Sequence, residues 1–231
     1  MVAVTGAEIR RLYPEYAEDL HRVRAEQREF LAANGKGFTA QLDDIEAEIT
    51  YLLLRARRPE LVVELGTLHG WSTTWILRAL RDNGTGMLRS HDIAERVRET
   101  VPAELRGNWE FRPGDARETM PELPERTEYL FIDADHGARF ARWYVRALLE
   151  PCSWPMNVSV HDVFHWRFAK PLSEGRVVLD WLDTRRQPWF TAARAKARGE
   201  FDALCALRAE LGFTEDIKAS KANPMLYFAL S

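Results

Sequence analysis

Five segments of this chain place acids or histidines directly after short apolar runs. They are Glu64, Gly66 and Gly70 in VVELGTLHG, His91 and Asp92 in RSHDI, and Gly114 and Asp115 in RPGDA. Asp133, Asp135 and His136 follow in YLFIDADH, and His161, Asp162 and His165 in VSVHDVFH. Carboxylates accept hydrogen bonds from hydroxyls and amines and can ligate a cation, and a histidine with its unperturbed pKa of ~6.5 can take a proton near neutrality. Such a set can hold a polar cofactor and deprotonate a small acceptor.

The apolar runs that deliver these groups alternate with helix-type spacing. LVVEL (61–65), MLRSHDI (87–93), WEFRPGD (109–115), YLFIDA (129–134) and NVSVHDVF (157–164) read as strands. Helical patterns lie between them at 70–82, 94–105 and 138–149, with a short one after the third strand. Strands alternating with helices predict an α/β fold, a Rossmann-like and mostly parallel sheet with helices on both faces. In an open sheet of this kind ligands bind beyond the carboxyl ends of the strands, which is where the acids and histidines fall. TEDIKAS and PMLYFALS, after LGF (211–213), read as a C-terminal antiparallel pair. Two helices, 5–34 and 38–57, form an N-terminal extension (1–58) to a core spanning 59–231, and an insert at 165–210 is rich in Trp, Arg and Ala.

Composition narrows the function class. The 231 residues are 46% hydrophobic and 29% charged with a net charge of −3, as in a globular protein, and give no global reason to expect nucleic acid or an anionic membrane as partner. Arg10, Arg11, Glu15, Glu18 and Asp19 near the start leave no secretory apolar core, and no run reaches the ~18 apolar residues of a membrane span. Two cysteines, Cys152 and Cys205, are too few for a disulfide framework, so a cytoplasmic setting is expected.

The glycine turn reads E-x-G-x-x-x-G, not the G-x-G-x-x-G of a dinucleotide loop, and Glu64 beside it suits a cationic or zwitterionic ligand better than a pyrophosphate. Taken with the later strands, the resemblance becomes specific. VVELGTLHGWST resembles motif I of class I S-adenosylmethionine-dependent methyltransferases, SHDI their second acidic motif, RPGDA the motif beside the adenine, and YLFIDADH the fourth motif. The likeness covers residues 60–164 closely and 211–231 in pattern. It is strongest toward a small-molecule subgroup that includes catechol O-methyltransferase-like enzymes, macrolide-sugar O-methyltransferases and cephalosporin hydroxylase.

The resemblance implies a seven-stranded sheet and a cofactor site made of Glu64, Gly66, Gly70, Ser72, Asp92, Asp115 and Asp133. Asp92 would hold the ribose hydroxyls and Asp115 the adenine amino group. Metal-dependent members hold a divalent ion at positions matched by Asp133, His161 and Asp162. Carboxylates suit Mg²⁺, whereas imidazole at His161 suits a later transition metal. His136 occupies the place of a lysine that takes the acceptor's proton, which makes it the leading base, with His161 and Asp133 beside it.

The insert is expected to cover the acceptor pocket, with His165, Trp166, Trp181 and Trp189 available to contact a ring. The basic run Arg185, Arg186, Arg194, Lys196 and Arg198 is either a solvated face or a reader of substrate anion. The reading is therefore methyl transfer to a small molecule, at a hydroxyl oxygen of a natural-product-type acceptor. A metal-dependent hydroxylase-like enzyme and a non-catalytic partner that retains the pocket are its alternatives. The N-terminal helices can pack on the core, close the pocket or form a homodimer contact.

Overall fold

A computed structural model of the chain describes residues 3–219 and 222–231. Three helices come first: α1 (Gly6–Glu15), α2 (Ala17–Asn34) and α3 (Asp44–Arg57). The spacing predicts one helix over 5–34, but the chain breaks at Tyr16. Pro14 in the last turn of α1 has no N–H to give and crowds the preceding turn. α3 starts later than expected, where the Asp43 side chain accepts from the Glu46 amide and the Glu46 carboxylate accepts from the Asp43 amide.

Seven strands form one sheet in the order β3-β2-β1-β4-β5-β7-β6. β1 (Leu61–Leu65), β2 (Met87–Asp92), β3 (Trp109–Pro113), β4 (Tyr129–Ile132) and β5 (Met156–Val160) run parallel. The expected antiparallel closure is present, yet its partner differs. β7 (Leu226–Leu230) pairs with β5 on one side and with β6 (Trp189–Phe190) on the other. TEDIKAS is irregular through residue 219, and its last residue, Ser220, lies outside the described residues. Its charges suit it poorly to an edge strand packed on the sheet, whereas Trp189 and Phe190 have apolar bulk for that place.

The crossover helices are α4 (Trp71–Asn83), α5 (Val97–Thr100), α6 (Ala116–Thr119) and α7 (Ala138–Tyr144), the last continuing through a π-type turn at Val145–Leu149. The helix predicted over 94–105 is only the four residues of α5 followed by a 3₁₀ turn (Ala103–Asn108). Pro102 forces Val101 into an extended conformation between them. The insert contributes α8 (Glu174–Arg185) and α9 (Arg198–Glu210).

Both sheet faces are buried, and alternate strand residues supply two cores. Val62, Tyr129 and Phe131 join Trp71, Trp75 and α1–α3 on one face. Val63, Leu65, Leu130 and Ile132 join α7 and α8 on the other. The N-terminal helices therefore share the core of the sheet, and the boundary expected at 58/59 is no gap in packing. The insert likewise does not simply cover a pocket, because α9 packs on α1 and α8 on α7.

Two buried polar clusters fasten these layers. On the helical side, Arg208 of α9 donates to Glu48 Oε2 at 2.7 Å and Asp44 Oδ2 at 3.3 Å, and Arg24 of α2 pairs with the same two acids. Tyr13 adds a hydrogen bond to Glu48 at 2.9 Å. Under the glycine turn, Glu64 is fully buried and accepts from Ser72 Oγ (2.6 Å), Thr73 Oγ1 (2.9 Å) and Ser90 Oγ (2.6 Å). It thereby ties β1 to α4 and β2. Burial pushes its carboxyl up to about 7, against the pull of the three hydroxyls.

These clusters generate two predictions. Arg208→Met strands buried charge on Asp44 and Glu48 and should lower stability by roughly 3–5 kcal/mol in urea denaturation. Glu64 binds its proton more tightly folded than unfolded. Its stabilising contribution is complete below the unfolded carboxyl pKa of ~4.3 and is lost as pH rises through about 7, a difference of roughly 3 kcal/mol. Glu64→Gln should flatten the fall in stability between pH 5 and pH 8 on the order of that amount, read as denaturation midpoints across pH. An unchanged slope would show that the carboxyl ionises without penalty.

Candidate active site

A cleft of about 730 Å³ opens at the carboxyl ends of β1 through β5, a size that suits a nucleoside cofactor together with a small acceptor. Its donor end is built by the turn after β1. Gly66 has φ +87°, and a Cβ there would lie 1.9 Å from the Asp133 carbonyl oxygen, so only glycine lets this turn pass beside β4. Asp92 at the end of β2 shapes the same turn. Its Oδ2 accepts from the Thr67 amide (2.6 Å), the Thr67 hydroxyl (3.0 Å) and the Leu68 amide (2.8 Å). Among the described residues its Oδ1 takes only the Ala94 amide at 2.9 Å, which leaves capacity for a ribose hydroxyl. Leu68, Ile93 and Ala116 give this end apolar walls for a purine. These residues fit a nucleoside-bearing cofactor.

Of the expected cofactor residues, Gly66, Asp92, Asp115 and Asp133 line the cleft, and Glu64, Gly70 and Ser72 do not. Glu64 and Ser72 bond to each other in the interior, so the carboxylate read as a ligand for a cationic group is a structural clamp instead. Gly70 begins α4 in the left-handed region (φ +82°), and a Cβ there would meet Val97 and Thr100 of α5 at 3.2 Å. Asp115 is already bound by the Arg117 guanidinium, whose contact holds its carboxyl below the usual range.

The acceptor end gathers Asp133, His136, His161, Asp162 and His165. His161 is buried with acids at both edges: Nδ1 lies 3.0 Å from Asp133 Oδ1 and 3.3 Å from Asp162 Oδ1, and Nε2 lies 3.4 Å from Glu46 Oε2. Burial alone would lower its pKa, but the charges of Asp133 and Glu46 prevail and raise it well above the ordinary value. Burial likewise works to raise Asp133, and the His161 charge outweighs it and holds Asp133 low. His161 is thus held toward its protonated form between these acids. Asp162 sits at φ +59°, an uncommon conformation for a non-glycine residue, and meets His136 Nε2 at 3.1 Å and His165 Nε2 at 2.7 Å.

The residues expected to hold a metal do not fit one. Among the described residues no group of three or more His, Cys, Asp or Glu side chains is placed to do so. Asp133, His161 and Asp162 pair with one another instead, His161 Nδ1 lying 3.0 Å from Asp133 Oδ1 and 3.3 Å from Asp162 Oδ1.

His136 has the organisation of an oriented base. Nδ1 lies 3.1 Å from Glu174 Oε2, while the ring lines the cleft and its side chain is 42% exposed. Glu174, in the first turn of α8, is buried, also accepts from the Tyr144 hydroxyl at 2.9 Å, and is raised by its burial. The Glu174 hydrogen bond lifts the pKa of His136 above 6.5, opposed by burial and aided by Asp162.

The tryptophans fall elsewhere. Trp181 packs over Phe228 on the sheet, Trp189 stacks on Phe164, and Trp166 is 62% exposed on the loop after β5. None of the three lines the cleft: Trp181 and Trp189 pack toward the sheet, and Trp166 points into solvent. The walls instead take Thr39, Ala40 and Gln41 from the segment before α3, and Lys218. Glu46, Glu174 and Lys218 are among the polar residues that sequence reading missed. Glu46 carries a local signal as the last residue of the D-x-x-E cap at 43–46, and the other two carry none.

Comparison with known proteins agrees with this geometry. Residues 63–163 match a family model described as a methyltransferase domain. A catechol O-methyltransferase of Niastella koreensis is 30% identical over 110 residues, which is 44% of this chain and 50% of that protein, so the match spans about half the length of that curated relative. An O-methyltransferase from Bacillus cereus in complex with SAH superposes with a TM-score of 0.55 at 16% identity, covering 93% of this chain and 90% of that one. A cofactor-bound protein from MTB superposes with a TM-score of 0.60 at 16% identity, covering 90% and 88%. At these identities the structural likeness is one of fold. Residues 63–163 thus match a methyltransferase domain, and the chain shares the fold of these two solved structures.

Proposed function

We propose that the protein is an S-adenosylmethionine-dependent O-methyltransferase that acts on a hydroxyl of a small, natural-product-type acceptor. The observation that carries this reading is His136, a cleft-lining imidazole held from behind by the buried Glu174 carboxylate, in the same cleft as the glycine turn and Asp92. The cofactor supplies a methyl group on a positively charged sulfur, which an oxygen nucleophile displaces in line.

The chain's part is positioning and proton transfer. Asp92 and the Gly66 turn hold the nucleoside end. Glu174 fixes the His136 ring so that Nε2 faces the acceptor space, where it takes the hydroxyl proton as the oxygen becomes nucleophilic. Asp162, 3.1 Å from Nε2, stabilises the imidazolium that results. The five aspartates of the cleft wall provide the negative surroundings that suit a cationic donor. The hydroxylase-like alternative depends on a metal, and the residues expected to hold one are engaged with each other.

Calorimetric titration with S-adenosylhomocysteine tests the donor half. The wild type should bind it in the micromolar range and Asp92→Ala at least tenfold more weakly, and a wild type that binds neither cofactor form would sink the proposal. For the acceptor half, with catechol as probe acceptor, His136→Ala should lower kcat by ~10²-fold or more with S-adenosylhomocysteine affinity kept within threefold. The neutral imidazole is the active form, so activity should rise with pH through a pKa above 6.5. Glu174→Gln removes the largest cause of that elevation and should move the acid limb of the kcat/KM profile to lower pH. A limb that stays in place would disprove the pairing.

A further inference from the structure

Each aspartate on the wall of the cleft already has a partner. Asp92 takes backbone amides, Asp115 takes Arg117, Asp133 faces His161, Asp135 takes the Gly137 amide at 2.7 Å, and Asp162 faces His136 and His165. Arg117 is likewise spent on Asp115. Lys218 differs: it lines the cleft, and its ammonium has no ion-pair or hydrogen-bond partner among the described residues.

Lys218 is also delivered to that wall by a built device. Its amide donates to Asp44 Oδ1 at 2.8 Å, its carbonyl accepts from the Asp44 amide at 3.0 Å, and the Ile217 amide donates to Asp44 Oδ2 at 3.0 Å. Asp44 is itself clamped by the buried Arg24 and Arg208. Two residues along α3, Glu46 reaches His161, so the element that anchors Lys218 also borders the acceptor end. The strap thereby fixes the Lys218 backbone beside the cleft that the residue lines.

We propose that Lys218 reads an anionic group on the acceptor, so that the substrate class is a hydroxylated carboxylic acid. The inference rests on the methyltransferase reading of the cleft. Lys218 is an ammonium on the cleft wall without a protein partner among the described residues, and a ligand carboxylate would meet it through a charge-assisted hydrogen bond. The cofactor's own carboxylate offers the same chemistry, and the test separates the two sources.

S-adenosylhomocysteine is titrated first into the wild type, Lys218→Met and Lys218→Arg. Each saturated protein is then titrated with 3,4-dihydroxybenzoate and with catechol. The wild type should bind the acid at least tenfold more tightly than catechol, Lys218→Met should lose that preference, and Lys218→Arg should restore part of it. S-adenosylhomocysteine affinity should stay within twofold throughout. Failure of the wild type to bind S-adenosylhomocysteine strikes the methyltransferase reading itself. Normal cofactor binding with no preference for the acid, or with a preference that survives Lys218→Met, overturns the Lys218 proposal alone. A tenfold loss of S-adenosylhomocysteine affinity in Lys218→Met overturns it in favour of the cofactor's carboxylate.

Discussion

The buried ion cluster of Arg24, Arg208, Asp44 and Glu48 is the constraint on which the acceptor half of the cleft depends. Ion pairs of this kind add little net stability over apolar packing, yet they are unforgiving of rearrangement, since a stranded charge in the interior is strongly unfavourable. Here they join α2, α3, α9 and the 215–218 strap at one point. Because Asp44 and Glu46 are neighbours on α3, the same point sets both the strap and the His161 contact. Helices far from the sheet in sequence thus fix two walls of the cleft.

The donor half obeys a more local logic. The turn after β1 has few ways to run once Gly66 must pass within contact distance of the β4 backbone and Asp92 must take the Thr67 and Leu68 amides. Glu64 beneath it trades ionisation for three hydroxyl bonds, so the turn rests on a neutral carboxyl at low pH and on a reluctant anion above about 7. Strand, turn and helix are cross-linked by side chains within a short stretch of chain, and one neighbouring strand supplies the rest.

That difference explains what was legible in the sequence. Strand ends at Glu64, Asp92, Asp115, Asp133 and Asp162 stand out because an apolar run stops there, and the sheet did bring them to one edge. Burial within that edge was not legible. Glu64 and Asp92 look alike in sequence, and only the hydroxyls of Ser72, Thr73 and Ser90 arriving from two elements decide that Glu64 faces inward. Glu174 and Lys218 had no local mark, since each reaches the cleft through long-range packing, α8 on α7 and the strap on α3. The tryptophans misled for the converse reason. Aromatic residues in an insert serve a pocket or a core equally well, and Trp181 and Trp189 found the core.

The two central histidines show how environment separates like residues into different roles. Both are lifted above the ordinary imidazole pKa, and both sit near Asp133 and Asp162. His161 is sealed between Glu46 and Asp133, so loss of its proton would leave buried carboxylates without a counter-charge, and the cost of that holds the proton in place. His136 has Glu174 at Nδ1 and Asp162 3.1 Å from Nε2, but its side chain is 42% exposed to the cleft. When it is neutral, Glu174 still keeps the Tyr144 hydrogen bond and Asp162 still faces His161 and His165, so no carboxylate is left unpartnered. The buried histidine thus belongs to the packing of the carboxylates, and the exposed one is placed where a change of charge leaves each acid a partner.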